Sequence, residues 1–145
     1  MIRKIEKIKK EEFFMIKITL KDGSVKEIEN KMYRALKNHE FVIYYQPKTD
    51  LKTEGVIGAE ALVRWQDKPG HLVPPMDFIP LFERNGFIID LDYYIFEEVF
   101  KFIRKTIDEG RRPIPVSLNV SRAHIYEPDF VEKLMKIKEK FLSIY

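Results

Sequence analysis

From Asn30 onward the apolar residues switch repeatedly between a two-residue and a three-to-four-residue period, and this alternation constrains the fold more than any other feature. Strand-like and helix-like segments in turn argue for an α/β architecture in which helices cover parallel strands. A helix is predicted over residues 31–38, with Asn30 as its N-cap and Met32, Ala35 and Leu36 on its apolar side. A strand follows from Phe41 to Gln46 and stops at Pro47. The next strand, Val56 to Trp65, comes after a turn over Thr49 to Gly55, so the two pair as antiparallel neighbours if that turn is tight. Residues 66–75 hold three prolines and a glycine and read as loop. Pro80, at a first helical position, then opens a short helix that runs through Arg84 and closes at Gly86. The clearest helix is capped by Asp90, carries Leu91, Ile95, Val99, Phe102, Ile103 and Ile107 at three- and four-residue steps, and ends at Gly110. A parallel strand from Ile114 to Val120 and a helix opening at Pro128, with Phe130, Leu134, Ile137 and Phe141 on one face, complete the pattern.

About three strands and four helices are too few for a closed eight-stranded barrel, which takes about 250 residues. The sheet is therefore small and open, or part of something larger. Residues 1–29 differ in texture and are expected to stand apart from residues 30–145. Met1 to Glu12 is charge-rich and reads as a solvated lead-in, or as a short helix with a thin stripe of Ile2, Ile5 and Ile8. Phe13 to Leu20 and Val25 to Ile28 flank Asp22-Gly23, a good signal for a small β-hairpin.

Composition narrows the function classes. With 45% hydrophobic and 34% charged residues, the chain is expected to be a soluble domain with one modest core. Its 26 basic and 23 acidic side chains leave a net charge of +3, too small to argue for a nucleic-acid polymer as partner. Zero cysteines exclude disulfides, thiolate metal sites and cysteine nucleophiles. No secretory-type apolar region follows the basic N-terminus, and no apolar run reaches the roughly 18 residues of a membrane helix. A cytoplasmic protein without a membrane span is the expectation.

The chemistry concentrates on two strands. In Gly58-Ala59-Glu60-Ala61-Leu62-Val63-Arg64-Trp65 the strand period puts Glu60, Leu62 and Arg64 on one face and Ala59, Ala61, Val63 and Trp65 on the other. Glu60 and Arg64 lie roughly 13 Å apart along the backbone at about 3.3 Å per residue, too far for a direct bond, so they either bracket a shared ligand or are solvated charges of an edge strand. In the second strand Ser117, Asn119 and Ser121 share a face opposite Val116, Leu118 and Val120. An amide flanked by hydroxyls in a helix-covered sheet needs partners. Glu60 and Asn119 offer oxygen donors, which suit Mg²⁺, Mn²⁺ or Ca²⁺ rather than zinc or copper. His39, His71 and His124 lack metal-ligand spacing and are assigned surface or capping roles.

Tyr44-Tyr45-Gln46-Pro47, Gly58 to Trp65, Phe78-Ile79-Pro80-Leu81 and Ser117-Leu118-Asn119-Val120-Ser121 together closely resemble the EAL domain of bacterial cyclic di-GMP signalling, down to the literal triplet Glu60-Ala61-Leu62. The four motifs stand in family order and spacing across roughly residues 31–141. The resemblance implies a (β/α)₈ TIM-type barrel with one antiparallel strand near its start, here represented by its N-terminal part. It implies hydrolysis of cyclic di-GMP to linear pGpG with Mg²⁺ or Mn²⁺. Carried across, Glu60 and Asn119 are metal ligands, Arg64 contacts a ligand phosphate, and Gln46 and Leu62 line the nucleotide pocket. The family's remaining metal carboxylates and its catalytic lysine have no counterpart among these residues. Glu127, Asp129, Glu132 and Glu139 read as solvated helix charges. A catalytic set is thus incomplete, and the chain is expected to be an inactive front portion of a phosphodiesterase domain.

Two other readings stand beside it. One is a non-enzymatic cyclic di-GMP-binding module, and the other an assembly protein that forms homo-oligomers through exposed sheet edges. A GGDEF or sensor domain in a longer parent is a further expectation, although no GGDEF signature occurs in residues 1–29.

Overall fold

The computed structural model describes residues 2–10, 13–20 and 25–143, with side chains described from residue 31 to 143. The chain divides into two compact units, Met1–Glu40 and Phe41–Tyr145.

The first unit is an antiparallel sheet, β1 (Ile2–Lys10), β2 (Phe13–Leu20) and β3 (Val25–Glu27), in the order β1-β2-β3, followed by helix α1 (Ile28–Lys37). The β2–β3 pairing is the expected hairpin, with Ile18 opposite Lys26; its turn over residues 21–24 lies outside the described residues. The lead-in differs from expectation, because it is strand β1, neither helix nor unstructured linker. Ile5 pairs with Ile18 and Ile8 with Met15. The three-residue spacing of the isoleucines is overridden by a neighbouring strand that offers a full ladder of backbone partners. Asn30 lies inside α1 and does not cap it. Met32 and Ala35 are fully buried. His39 ends the helix in the left-handed conformation (φ 54°), with His39 N–H donating to Leu36 O (3.1 Å) and Glu40 N–H to Ala35 O (2.9 Å), a Schellman closure.

The second unit carries the motifs. Strand β4 (Phe41–Thr49) pairs antiparallel with β5 (Val56–Lys68), as expected. Asp50 Oδ1 builds the turn between them by accepting Lys52 N–H (2.7 Å) and Thr53 N–H (2.9 Å), and these bonds hold its carboxyl below the ordinary value. Residues 66–75 are not all loop, since β5 continues to Lys68 and pairs with β6 (His71–Val73) around Gly70. Helix α2 (Pro75–Asn85) starts five residues before the expected Pro80. Pro75 takes the first-turn position where a missing N–H costs nothing, while Phe78 and Phe82, both buried, anchor the turns on either side of Pro80.

Gly86 (φ 83°) closes α2 and leads directly into α3 (Phe87–Asp108). Asp90 therefore sits in the first turn, where its charge favours the helix dipole, and is not the cap. Gly110 (φ 72°) follows the end of α3, as expected. Strand β7 (Val116–Ser117) is parallel to β5 but far shorter than the expected Ile114–Val120. Pro113 and Pro115 lack the N–H groups a longer ladder requires. A 3-10 turn at Arg122–Tyr126 and helix α4 (Phe130–Leu142) complete the unit.

The two faces of the β4–β5 ribbon have different fates. Phe41↔Trp65, Ile43↔Val63, Tyr45↔Ala61 and Pro47↔Ala59 form one face. Phe41 (1% exposed) meets Trp65, Phe78, Phe82 and Phe87 at ring-centroid distances of 5.4, 5.9, 6.0 and 6.3 Å, and Tyr45 stacks on Phe102 at 4.2 Å. This aromatic cluster is the core of the unit. Val42↔Arg64, Tyr44↔Leu62, Gln46↔Glu60 and Lys48↔Gly58 form the other face, on which Tyr44, Gln46 and Lys48 are exposed.

Burial pushes the phenols of Tyr45 and Tyr94 up to about 12, with Glu98 adding to the effect in both; Tyr94 O–H donates to Phe41 O at 3.0 Å. A phenol with a raised folded pKa contributes stability that is complete below its unfolded value of 10.0 and is lost as pH rises through about 12. Urea unfolding is therefore expected to become easier between about pH 10 and pH 12, with a shallower decline in Tyr94→Phe. An identical decline in that variant would assign the alkaline loss to other groups.

Candidate functional site

The site begins with a glycine. A Cβ on Gly58 would stand 3.0 Å from Pro115 O, and Ala59 N–H donates to that same oxygen at 2.9 Å. The missing side chain lets β7 close onto β5, so that Glu60 is the register partner of both Gln46 and Ser117. Two residues further, Asn119 Nδ2–H donates to Glu60 Oε1 at 3.2 Å. The structure thus brings Glu60 and Asn119 together from positions 59 residues apart in sequence.

Gln46 is exposed beside Glu60, and Leu62 follows on the same face of β5. Arg64 Nη1 donates to Val63 O at 2.8 Å, which holds the guanidinium against its own strand. Leu62, Arg64 and Asn119 line a cavity of about 270 Å³ that also meets Glu83, Asp92 and Ser121. Of the polar face predicted on the second strand, Asn119 bonds to Glu60 and Ser117 is the register partner of Glu60. Ser121 lines the cavity, but its hydroxyl is engaged in accepting from Ala123 N–H (3.2 Å) to cap the 3-10 turn.

Two groups were assigned differently from sequence, and a third, Asp92, was not singled out there. His124 is 3% exposed and is neither a surface nor a capping residue. Its Nε2 lies 3.0 Å from Asp92 Oδ2 and its Nδ1 2.6 Å from Glu127 Oε2. Glu127, read as a solvated charge, also accepts from Tyr93 O–H (3.0 Å) and Lys133 Nζ (3.4 Å). Asp92, 4% exposed, additionally accepts Ser121 N–H at 2.9 Å and so ties α3 to the segment that carries Asn119. Burial raises the Asp92 carboxyl despite these partners. Burial also pushes Glu127 up, but bonds from His124, Tyr93 and Lys133 outweigh it and hold that carboxyl below its ordinary value. The sequence signal for this network was a carboxylate, Asp92, placed within the buried stripe Ile88, Leu91, Ile95 and Val99 of α3. His71 is exposed and bonded to Asp67.

Glu60 and Asn119 are hard donors that suit a divalent cation of the Mg²⁺ or Mn²⁺ type. Two such donors would fill only part of a coordination shell, and no group of three or more His, Cys, Asp or Glu side chains poised for a metal occurs among the described residues. Among the described residues no helix is long and apolar enough to cross a membrane.

Comparison with known proteins gives one consistent answer. The family model described as the EAL domain matches residues 29–142. The probable cyclic di-GMP phosphodiesterase PdeG of Escherichia coli (strain K12) is 29% identical over 113 residues, 78% of this chain and 22% of the relative. The cyclic di-GMP phosphodiesterase PdeR of the same organism is 32% identical over 113 residues, 78% of this chain and 17% of the relative. The solved structure of the PaMucR phosphodiesterase in complex with c-di-GMP superposes with a TM-score of 0.71 at 26% identity, covering 80% of this chain and 47% of that one. The chain thus spans about a fifth of these two curated relatives and about half of the solved structure. Its mixed sheet and covering helices follow the TIM-barrel-like EAL fold, and the chain belongs to the EAL domain family.

Proposed function

We propose that this chain forms the front portion of a cyclic di-GMP phosphodiesterase site, with Glu60 and Asn119 as ligands of Mg²⁺ or Mn²⁺ and with Gln46, Leu62 and Arg64 as contacts of the nucleotide. The observation that carries the reading is the Glu60–Asn119 contact, which joins two oxygen-bearing side chains on an open polar face. When bound, the cation supplies activation of water for attack on phosphorus and neutralisation of the charge that develops there. The residues do the rest: Gln46 and Leu62 orient the ligand beside β5, and the Arg64 guanidinium pairs with a phosphate oxygen. In the family reaction, water adds to phosphorus and one ring P–O bond breaks to give linear pGpG.

Two oxygen donors do not complete a two-metal centre, so this chain on its own is expected to bind without turnover. Incubation with cyclic di-GMP and Mg²⁺ or Mn²⁺ should yield no pGpG from either the wild type or Glu60→Ala. Turnover that disappears in Glu60→Ala would show that other carboxylates complete the centre. The division into residues 1–29 and 30–145, a cytoplasmic location, and a GGDEF or sensor domain in a longer parent belong to the same reading.

A second reading, a non-enzymatic binding or assembly module, is favoured by the open side of the unit. Helix α4 has no fully buried residue, and Val120, Val131 and Met135 are 49%, 68% and 42% exposed. Sedimentation at tens of micromolar is expected to reveal homo-oligomers if the unit assembles through this side, and a compact monomer would remove the assembly role.

A further inference from the structure

The polar face holds a cation that the functional reading leaves unused. Lys48 is exposed on β4, in the same row as Tyr44 and Gln46, and its register partner on β5 is Gly58. A glycine leaves that stretch of the ligand face without a side chain. The lysine stem crosses over β5 there, and its Nζ donates to Ser117 Oγ at 2.8 Å on β7. The span is two inter-strand spacings, roughly 10 Å. Ser117 is in turn the register partner of Glu60, whose carboxylate receives the Asn119 amide. The ammonium thus stands in the row next to the carboxylate–amide pair.

Arg64, Leu62, Glu60 and Gly58 succeed one another on one side of β5, with Lys48 reaching across the last of them. A cation therefore stands at each end of the row, with the carboxylate between them. A ligand with two anionic centres fits this order, since each phosphodiester meets its own cation while the middle is left to the carboxylate and any cation it holds. An ammonium has three donors and Ser117 takes one. A neutral hydroxyl is a weaker partner than a phosphodiester oxygen, so exchange of Ser117 for phosphate favours the bound state.

We propose that Lys48 is a second phosphate-contacting residue of this site, held by Ser117 in the free protein and transferred to a phosphodiester oxygen of the cyclic dinucleotide on binding. The proposal deepens the cyclic di-GMP reading and rests on it.

Titration calorimetry of cyclic di-GMP into the full chain tests both, using wild type, Lys48→Met, Lys48→Arg, Ser117→Ala and Arg64→Ala. Loss of one charge-assisted contact is expected to weaken binding about tenfold or more in Lys48→Met, with Lys48→Arg within about threefold of wild type. Ser117→Ala, which frees the ammonium, should bind at least as well as wild type. Lys48 is exposed, so circular dichroism should show its variants folded. Wild-type affinity in Lys48→Met alongside loss in Arg64→Ala would overturn the Lys48 proposal and leave the underlying reading intact. Absence of binding by the wild type at millimolar ligand would overturn the reading, and the Lys48 proposal with it.

Discussion

Phe41→Ala is expected to lower the free energy of unfolding by about 3–5 kcal/mol, the range for deleting a buried aromatic ring. Phe41 is 1% exposed and faces four other rings, so its removal opens a void that rigid neighbours fill poorly. In a chain of this size each kcal/mol moves the midpoint by roughly 2–4 °C, so a loss of about 10 °C is anticipated. Trp65, whose ring lies 5.4 Å from Phe41, is the sole tryptophan and reports the transition by fluorescence. Phe41→Leu should recover a good part of the loss. A decrease below about 1 kcal/mol in the alanine variant would mean that the cluster collapses into the space and is not the rigid core described above.

Asp92→Ala is expected to have a comparable effect through a different mechanism. Its carboxylate accepts both Ser121 N–H and the His124 contact while 4% exposed, and deleting it strands two buried polar groups at once. Each buried polar group left without its acceptor costs about 1–3 kcal/mol, so losing both contacts adds up to an effect of similar size. Asp92→Asn keeps an acceptor for Ser121 and should cost about 1–2 kcal/mol. A double-mutant cycle with His124→Leu is the decisive measurement, because contact between the two predicts a penalty well short of the sum of the single losses. Additive losses would show that Asp92 and His124 act separately. Faster hydrogen exchange at the Ser121 amide in Asp92→Ala should accompany the destabilisation.

Several features were legible because they are properties of a short stretch of chain. The two faces of β5 follow from the strand period alone, and the structure buries Ala59, Ala61 and Trp65 while leaving Glu60, Leu62 and Arg64 partly accessible. The apolar steps of α3 predicted its course from Leu91 to Ile107. Prolines misled locally: three in residues 66–75 suggested a loop although Pro75 starts α2, and Pro113 and Pro115 cut short a strand whose alternation looked continuous. The expectation that Gln46, Glu60, Leu62, Arg64 and Asn119 share a site came from the resemblance to the EAL family, and the register of β4, β5 and β7 shows how their positions are arranged.

Sequence by itself thus determined the family, the alternation of elements and which face of β5 is polar, because periodicity and each motif are encoded within a short stretch of consecutive residues. Tertiary structure decided that residues 2–10 form a strand, that His124 and Asp92 are buried partners 32 residues apart, and that Lys48 reaches Ser117 across 69 residues. The physical reason is that a strand needs a neighbour and a buried polar group needs a partner, and neither requirement is met within the segment that carries it.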